Sequence, residues 1–153
     1  MNDVLRAILV RADLQDENLF AAHEVARWPA GALNWLTRAG ILRAAELAEE
    51  ILCDECPEGC WIKPTIRKIP GTRRRFGTYL CRRNDDVGSF TVDLARRRQW
   101  QFSLGGLAKA VSKAVKPTGK VTELAPERLV LLGTVKLGGD NRELFLVRGA
   151  AWS

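Results

Sequence analysis

The chain has one histidine, one tyrosine and one methionine in 153 residues, and only four cysteines. With His23 alone, a two-histidine metal motif is excluded, and a nucleophile–histidine–acid set lacks partners that the sequence singles out. His23 is expected to be a packed or surface imidazole. No apolar run approaches the roughly 20 residues that cross a bilayer. The opening stretch MNDVLRAILVRADLQDE lacks the order of basic region, apolar stretch and small-residue cleavage site that marks a secretory signal. A cytoplasmic location is the expectation.

Phosphate-cradling loops are missing as well. Lys116-Pro-Thr-Gly-Lys120 is not one: Ala114 stands where the leading glycine of such a loop belongs, and valine follows Lys120. Asp85-Asp86 lies beside Arg82 and Arg83 and reads as a solvated turn rather than a metal pair. Internal repeats and low-complexity tracts are also absent. No acid–base or nucleophile set emerges, so an enzyme is not expected.

The hydrophobic fraction of 46% suits a globular chain. The net charge of +6 is unevenly spread: residues 62–100 hold eleven Lys and Arg against three Asp, while residues 1–61 are net acidic. A basic excess gathered in the middle and tail points to a polyanionic partner. The alternative is a solvated basic face.

All four cysteines fall between positions 53 and 81, as Cys-Asp-Glu-Cys-Pro-Glu-Gly-Cys and then Cys81. Two residues between thiolates let both sulfurs face one point, and Pro57 and Gly59 allow the turn that brings in Cys60. Cys81 would arrive on the returning strand of a hairpin turned at Pro70-Gly71. Cys53, Cys56, Cys60 and Cys81 would hold one structural zinc tetrahedrally, leaving no open position for catalysis. An iron–sulfur cluster also fits four thiolates, whereas disulfides are disfavoured in a reducing cytosol. Residues 51–94 have few large apolar side chains, so the metal would supply much of their folding energy. The segment resembles a zinc ribbon, although three of its ligands cluster and the fourth stands alone.

Three arginine groups follow: Arg73-Arg74-Arg75, Arg82-Arg83 and Arg96-Arg97-Arg98. Their planar forks suit phosphate oxygens. Trp61, Phe76, Tyr79 and Trp100 lie among them, and such interleaving is used on single-stranded nucleic-acid surfaces. The bland reading places the aromatics in a small core; it is favoured for Phe76 and open for Tyr79 and Trp100.

Residues 3–50 read as helical, with Val4, Leu5, Ile8 and Leu9 at helical spacing, a second helix over Asn18 to Trp28, and a third over Ala32–Ala39 that stops at Gly40. The segment HEVARWPAGALNWLTRAGILR resembles the winged helix-turn-helix domains of bacterial regulators over residues 18–43. The resemblance implies that Asn34, Thr37 and Arg38 face DNA, or that the module docks protein. Short strands are expected at 61–63, 65–69, 75–81 and 89–93. A helix capped by Ser103 should follow, with Leu104, Leu107, Ala108, Val111 and Val115 on one face. Strands 129–136 and 143–148 should flank a turn at Gly138-Gly139-Asp140-Asn141.

The expected fold is therefore α+β in three modules: a helix-turn-helix at 1–50, a zinc ribbon at 51–94, and a helix with a β-hairpin at 95–153. The expected function is nucleic-acid binding, with DNA favoured, by a regulator or an accessory subunit of a nucleic-acid machine. The alternative is an adaptor that docks on a protein partner or on a second copy.

Overall fold

A computed structural model describes residues 2–14, 18–53, 59–81 and 89–149. The fold is α+β, with four small antiparallel sheets among the described residues. The chain divides into two compact units, each discontinuous in sequence: residues 1–19, 28–43 and 100–153 form one, and residues 20–27 and 44–99 form the other. Among the described residues no helix is long and apolar enough to cross a membrane.

The first unit is built on apolar stripes. Helix α1 (Asn2–Ala12) buries Val4, Ile8 and Ala12, four residues apart on one face. Asp3 and Arg11 sit at the ends where the helix dipole favours their charges. Strand β1 (Leu19–Ala21) and the four-residue helix α2 (Ala22–Val25) follow, the latter belonging to the second unit. Helix α3 (Ala32–Arg38) buries Ala32 and Leu36, and strand β2 covers Leu42–Ala44.

Further along, β8 (Gln99–Phe102) is the central strand of a β1–β8–β2 sheet. Helix α4 (Leu104–Val115) buries Leu104, Leu107 and Ala108 and exposes Lys109 and Lys113. The Ser103 hydroxyl caps it by accepting from the Gly106 N–H at 3.1 Å. Gly106 has a second role. A Cβ there would overlap the carbonyl oxygen of Gly40, so α4 lies against the α3 exit at a distance only glycine permits.

Strands β9 (Thr122–Ala125), β10 (Leu129–Leu137) and β11 (Asp140–Val147) complete the unit in the order β11–β10–β9. Gly138 and Gly139 both take positive φ between β10 and β11, the backbone of a tight two-residue hairpin turn. Beyond β11, the Arg148 guanidinium donates to the carbonyls of Ala12 and Leu14, and the Gly149 N–H donates to the Asp13 carboxylate. The end of the last strand is thus tied to the end of α1.

The second unit is mostly short strands. β3 (Ile51–Leu52) pairs with β4 (Trp61–Ile62), and β5 (Thr65–Lys68), β6 (Arg75–Leu80) and β7 (Ser89–Val92) form a meander. A 3-10 turn, Leu94–Arg97, follows. The core is small: Ile51, Cys53, Ile62, Tyr79, Cys81 and Val92, with Cys60 and Phe90 packed against it. Gly77 lets β6 pass closely, since a Cβ there would stand 2.6 Å from Val92 Cγ1.

The helical reading of residues 3–50 needs correcting in three places, one of them the strand at Leu42–Ala44. Residues 19–21 are strand, and the helix after them is four residues long rather than running to Trp28. Asn18 is held by an N–H from Phe102 to its carbonyl, a non-local bond that overrides local helix propensity. Residues 45–50 are irregular, because the N–H groups of Ala45 and Ala48 donate to the carbonyls of Gln99 and Arg97 instead of continuing a helix. The other expected elements, from the 61–63 strand to the last hairpin, form within one to three residues of their expected bounds.

Candidate metal centre

The site is assembled by two short ladders. Ile51 and Leu52 pair with Ile62 and Trp61, and the Cys53 N–H donates to the Cys60 carbonyl at 2.8 Å, extending that ladder by one rung. This places Cys53 and Cys60 side by side at its open end. Gly59 enters that rung at φ +62°, in the left-handed region that favours glycine. Cys81 arrives directly after β6, whose register with β5 and β7 is fixed over four pairs on each side.

The three sulfurs converge. All lie within 4.8 Å of one another, and Cys60 and Cys81 are 3.8 Å apart. A disulfide needs about 2.05 Å between sulfurs, and none joins these three cysteines. Thiolates around one tetrahedral ion at about 2.3 Å each stand about 3.8 Å apart. The cluster therefore has the spacing of a shared single-ion site, and these residues can bind a metal such as zinc. Cys56, the fourth expected ligand, lies outside the described residues.

The surroundings suit a site shielded from water. Cys53 and Cys81 are 3% and 1% exposed, while Cys60 is half-buried. Tyr79 is buried too and stacks on Phe90 with ring centres 5.5 Å apart. Its hydroxyl lies 3.8 Å from Cys53 Sγ and accepts from the thiol. With Cys53 ionised the same contact reverses, the tyrosine O–H donating to sulfur. Sequence reasoning left Tyr79 between stacking surface and core. Its alternation with Gly77 along β6 is the signal for burial.

The arginines fall into different environments. Arg73, Arg74 and Arg75 are exposed at the β5–β6 turn, beside exposed Arg67 and Lys68, which were not singled out as site residues. Arg96 and Arg97 are half-buried: Arg96 Nη2 donates to the Leu52 carbonyl at 2.7 Å and Arg97 Nε to the Ala48 carbonyl at 2.6 Å. Arg96 thereby holds the residue before Cys53, a supporting contact of the kind that orients metal ligands. Arg98 is exposed, and Arg82 and Arg83 lie outside the described residues.

On α3, Asn34 and Arg38 are exposed, whereas Thr37 is half-buried with its hydroxyl donating to the Leu33 and Asn34 carbonyls. Trp61, the residue after Cys60, is 57% exposed and makes a T-shaped contact with His23 at 5.8 Å. Glu49 and Lys63 form an exposed ion pair at 2.7 Å. The hydrogen bond and the lysine charge pull the Glu49 carboxyl below its usual value, and the same hydrogen bond and carboxylate charge raise Lys63.

Comparison of the chain with protein-family profiles, with curated proteins and with solved structures finds no match.

Proposed function

We propose that this protein binds nucleic acid, with DNA the favoured polymer, through a basic surface carried on a cysteine-held structural zinc. The observation that carries the reading is a juxtaposition. Three thiols converge within 4.8 Å, one of them directly after β6, the second strand of a hairpin whose strands and turn expose Arg67, Lys68, Arg73, Arg74 and Arg75. In this reading zinc holds the short strands in register, and the guanidinium groups neutralise phosphates. Cys56 would supply the fourth ligand. Iron–sulfur clusters spread their thiolates over several irons, so the close grouping of these sulfurs favours one ion. The zinc-ribbon and winged-helix resemblances fit a regulator or an accessory subunit. Asn34, Thr37 and Arg38 are secondary candidates for base contact, and no enzyme activity is assigned.

A second reading, a protein-docking adaptor, draws on a cavity of about 400 Å³ in the first unit, lined largely by Leu9, Val10, Leu104, Leu107, Leu146 and Val147. One experiment separates the two. Metal content is measured on protein purified without added zinc, and DNA and RNA binding are then titrated with salt. Near one zinc per chain, with log affinity falling linearly against log salt, supports the nucleic-acid reading. Zinc without nucleic-acid binding moves the assignment to the adaptor, and no metal removes the scaffold from both.

A further inference from the structure

The open face of the β5–β6–β7 meander carries chemistry that a phosphate-binding surface alone does not need. The register pairs Thr65 with Thr78 and Leu80 with Ser89, while Arg67 stands opposite Phe76. These residues alternate with the buried Gly77, Tyr79 and Val92, so they share the face turned away from the thiol cluster. A groove of about 460 Å³ takes Thr65, Arg67 and Thr78 from that face, with Trp61, Lys63, Glu50 and the buried Tyr79 among the rest of its lining.

The groove has two chemically different ends. Toward the β5–β6 turn stands exposed Arg67, with exposed Arg73 and Arg74 in the turn beyond it, while Lys68 and Arg75, paired with each other, alternate onto the opposite face. Toward β4 stands Trp61, 57% exposed yet fixed by its contact with His23 and by its pairing opposite Leu52. Glu49 and Glu50 lie at this second end, and Glu49 already engages Lys63. Phosphates are favoured at the cationic end and repelled at the other. A flat π-face beside carboxylate acceptors suits a base, whose exocyclic amines can donate to them.

Size decides between single and double strands. A volume near 460 Å³ falls in the range of small-ligand clefts, about 300–1,000 Å³, enough for one or two nucleotides. A duplex is far wider, and it keeps its base faces inside the stack. We infer that the groove between Trp61 and Arg67 is a subsite for unpaired nucleotides of a single-stranded nucleic acid, one base stacking on Trp61 and a phosphate meeting Arg67. This rests on the nucleic-acid reading and sharpens it, since a basic hairpin alone would accept duplex equally well.

The test uses the full chain, loaded with zinc, and one labelled mixed-sequence oligonucleotide, either single-stranded or annealed to its complement. Anisotropy titrations compare wild type with Trp61→Ala, Trp61→Phe and Arg67→Ala, with zinc content and circular dichroism verifying each fold. The expected result is tighter binding of the single strand. Trp61→Ala should weaken it by roughly tenfold or more, as loss of one stacked base does, and Trp61→Phe should restore most of the loss. Arg67→Ala should lower the salt slope by about one phosphate contact. Wild-type binding that neither Trp61→Ala nor Arg67→Ala weakens would overturn the subsite and leave the basic-surface reading standing. Wild-type protein that binds neither form at low salt would overturn both. Should Trp61→Ala fail to fold, Trp61→Leu, which keeps an apolar side chain but removes the π-face, carries the stacking decision, and Arg67→Ala carries the phosphate one.

Discussion

The two compact units hold themselves together by different means. The first buries Ile8, Leu36, Ile41, Leu42, Leu104, Val130 and Leu132 almost completely, drawn from three helices, the start of β2 and a long hairpin. In the second, the buried cluster has six members, and two of them are cysteines whose sulfurs converge with a third. Its strands are two to six residues long. Strands this short cannot gather enough apolar area for independent stability. The contrast teaches where a metal would matter most: where the chain offers surface and turns but few apolar side chains to bury.

The largest expected effect on that contrast comes from taking away the proposed zinc or one of the thiols that would hold it. Chelation, or Cys81→Ser, is expected to abolish amide protection in β4, β5 and β6 while α4 and the β10–β11 hairpin stay protected in hydrogen exchange. The free energy at stake is on the order of 10 kcal/mol for a structural zinc site. Second-unit amides that remain protected in chelator would show that its apolar cluster suffices.

A smaller effect sharpens the other side. Gly106→Ala should destabilise the first unit by about 3 kcal/mol, the upper part of the range for forced overpacking, because the new methyl meets the Gly40 carbonyl. Its neighbour is the control. A Cβ on Gly105 meets nothing within 4 Å, so Gly105→Ala should stabilise by up to about 1 kcal/mol through helix propensity. Thermal melts of both variants check the pair, and equal melting temperatures would refute close packing as the reason for Gly106.

The smallest effect belongs to the exposed Glu49–Lys63 pair of the second unit. Glu49 titrates below its ordinary 4.5 when folded, so its contribution is complete above that value and is lost as pH falls through the folded pKa. Lys63 titrates above 10.5 when folded, so its contribution is complete below that value and is lost as pH rises through the folded pKa. Both side chains are largely solvated, so Glu49→Gln should flatten the acid limb of the stability curve only slightly. A change comparable to that of metal removal would mean the pair is part of the scaffold.

Much of the second unit was legible in advance. Cysteine spacing named three residues that the fold brings together, and β-prone runs broken by Pro70-Gly71 located β5 and β6. The Ser103 cap and the apolar stripe of α4 were legible for the same reason, that cap and periodicity act within a few residues. Other features were not legible. Arg96 and Arg97 carry the same charge as Arg98, yet they donate to the carbonyls of Leu52 and Ala48, more than forty residues away in sequence. Residues 45–50 look helical by composition, but Ala45 and Ala48 give their N–H groups to the 97–99 segment. Nothing local distinguishes a guanidinium bound to backbone from one bound to solvent.

The sequence by itself determined the α+β class, the candidate ligands, the concentration of positive charge and the turns that divide the strands. Each follows from residue type or short-range spacing, which the chain carries whether folded or not. Tertiary structure alone decided the rest. It drew residues 20–27 into the unit that holds the cysteines, it buried Tyr79 against Cys53, and it left Trp61 and Arg67 exposed along one groove. Those outcomes depend on pairings between distant segments, whose free energy is set by which surfaces meet and not by any stretch of chain alone.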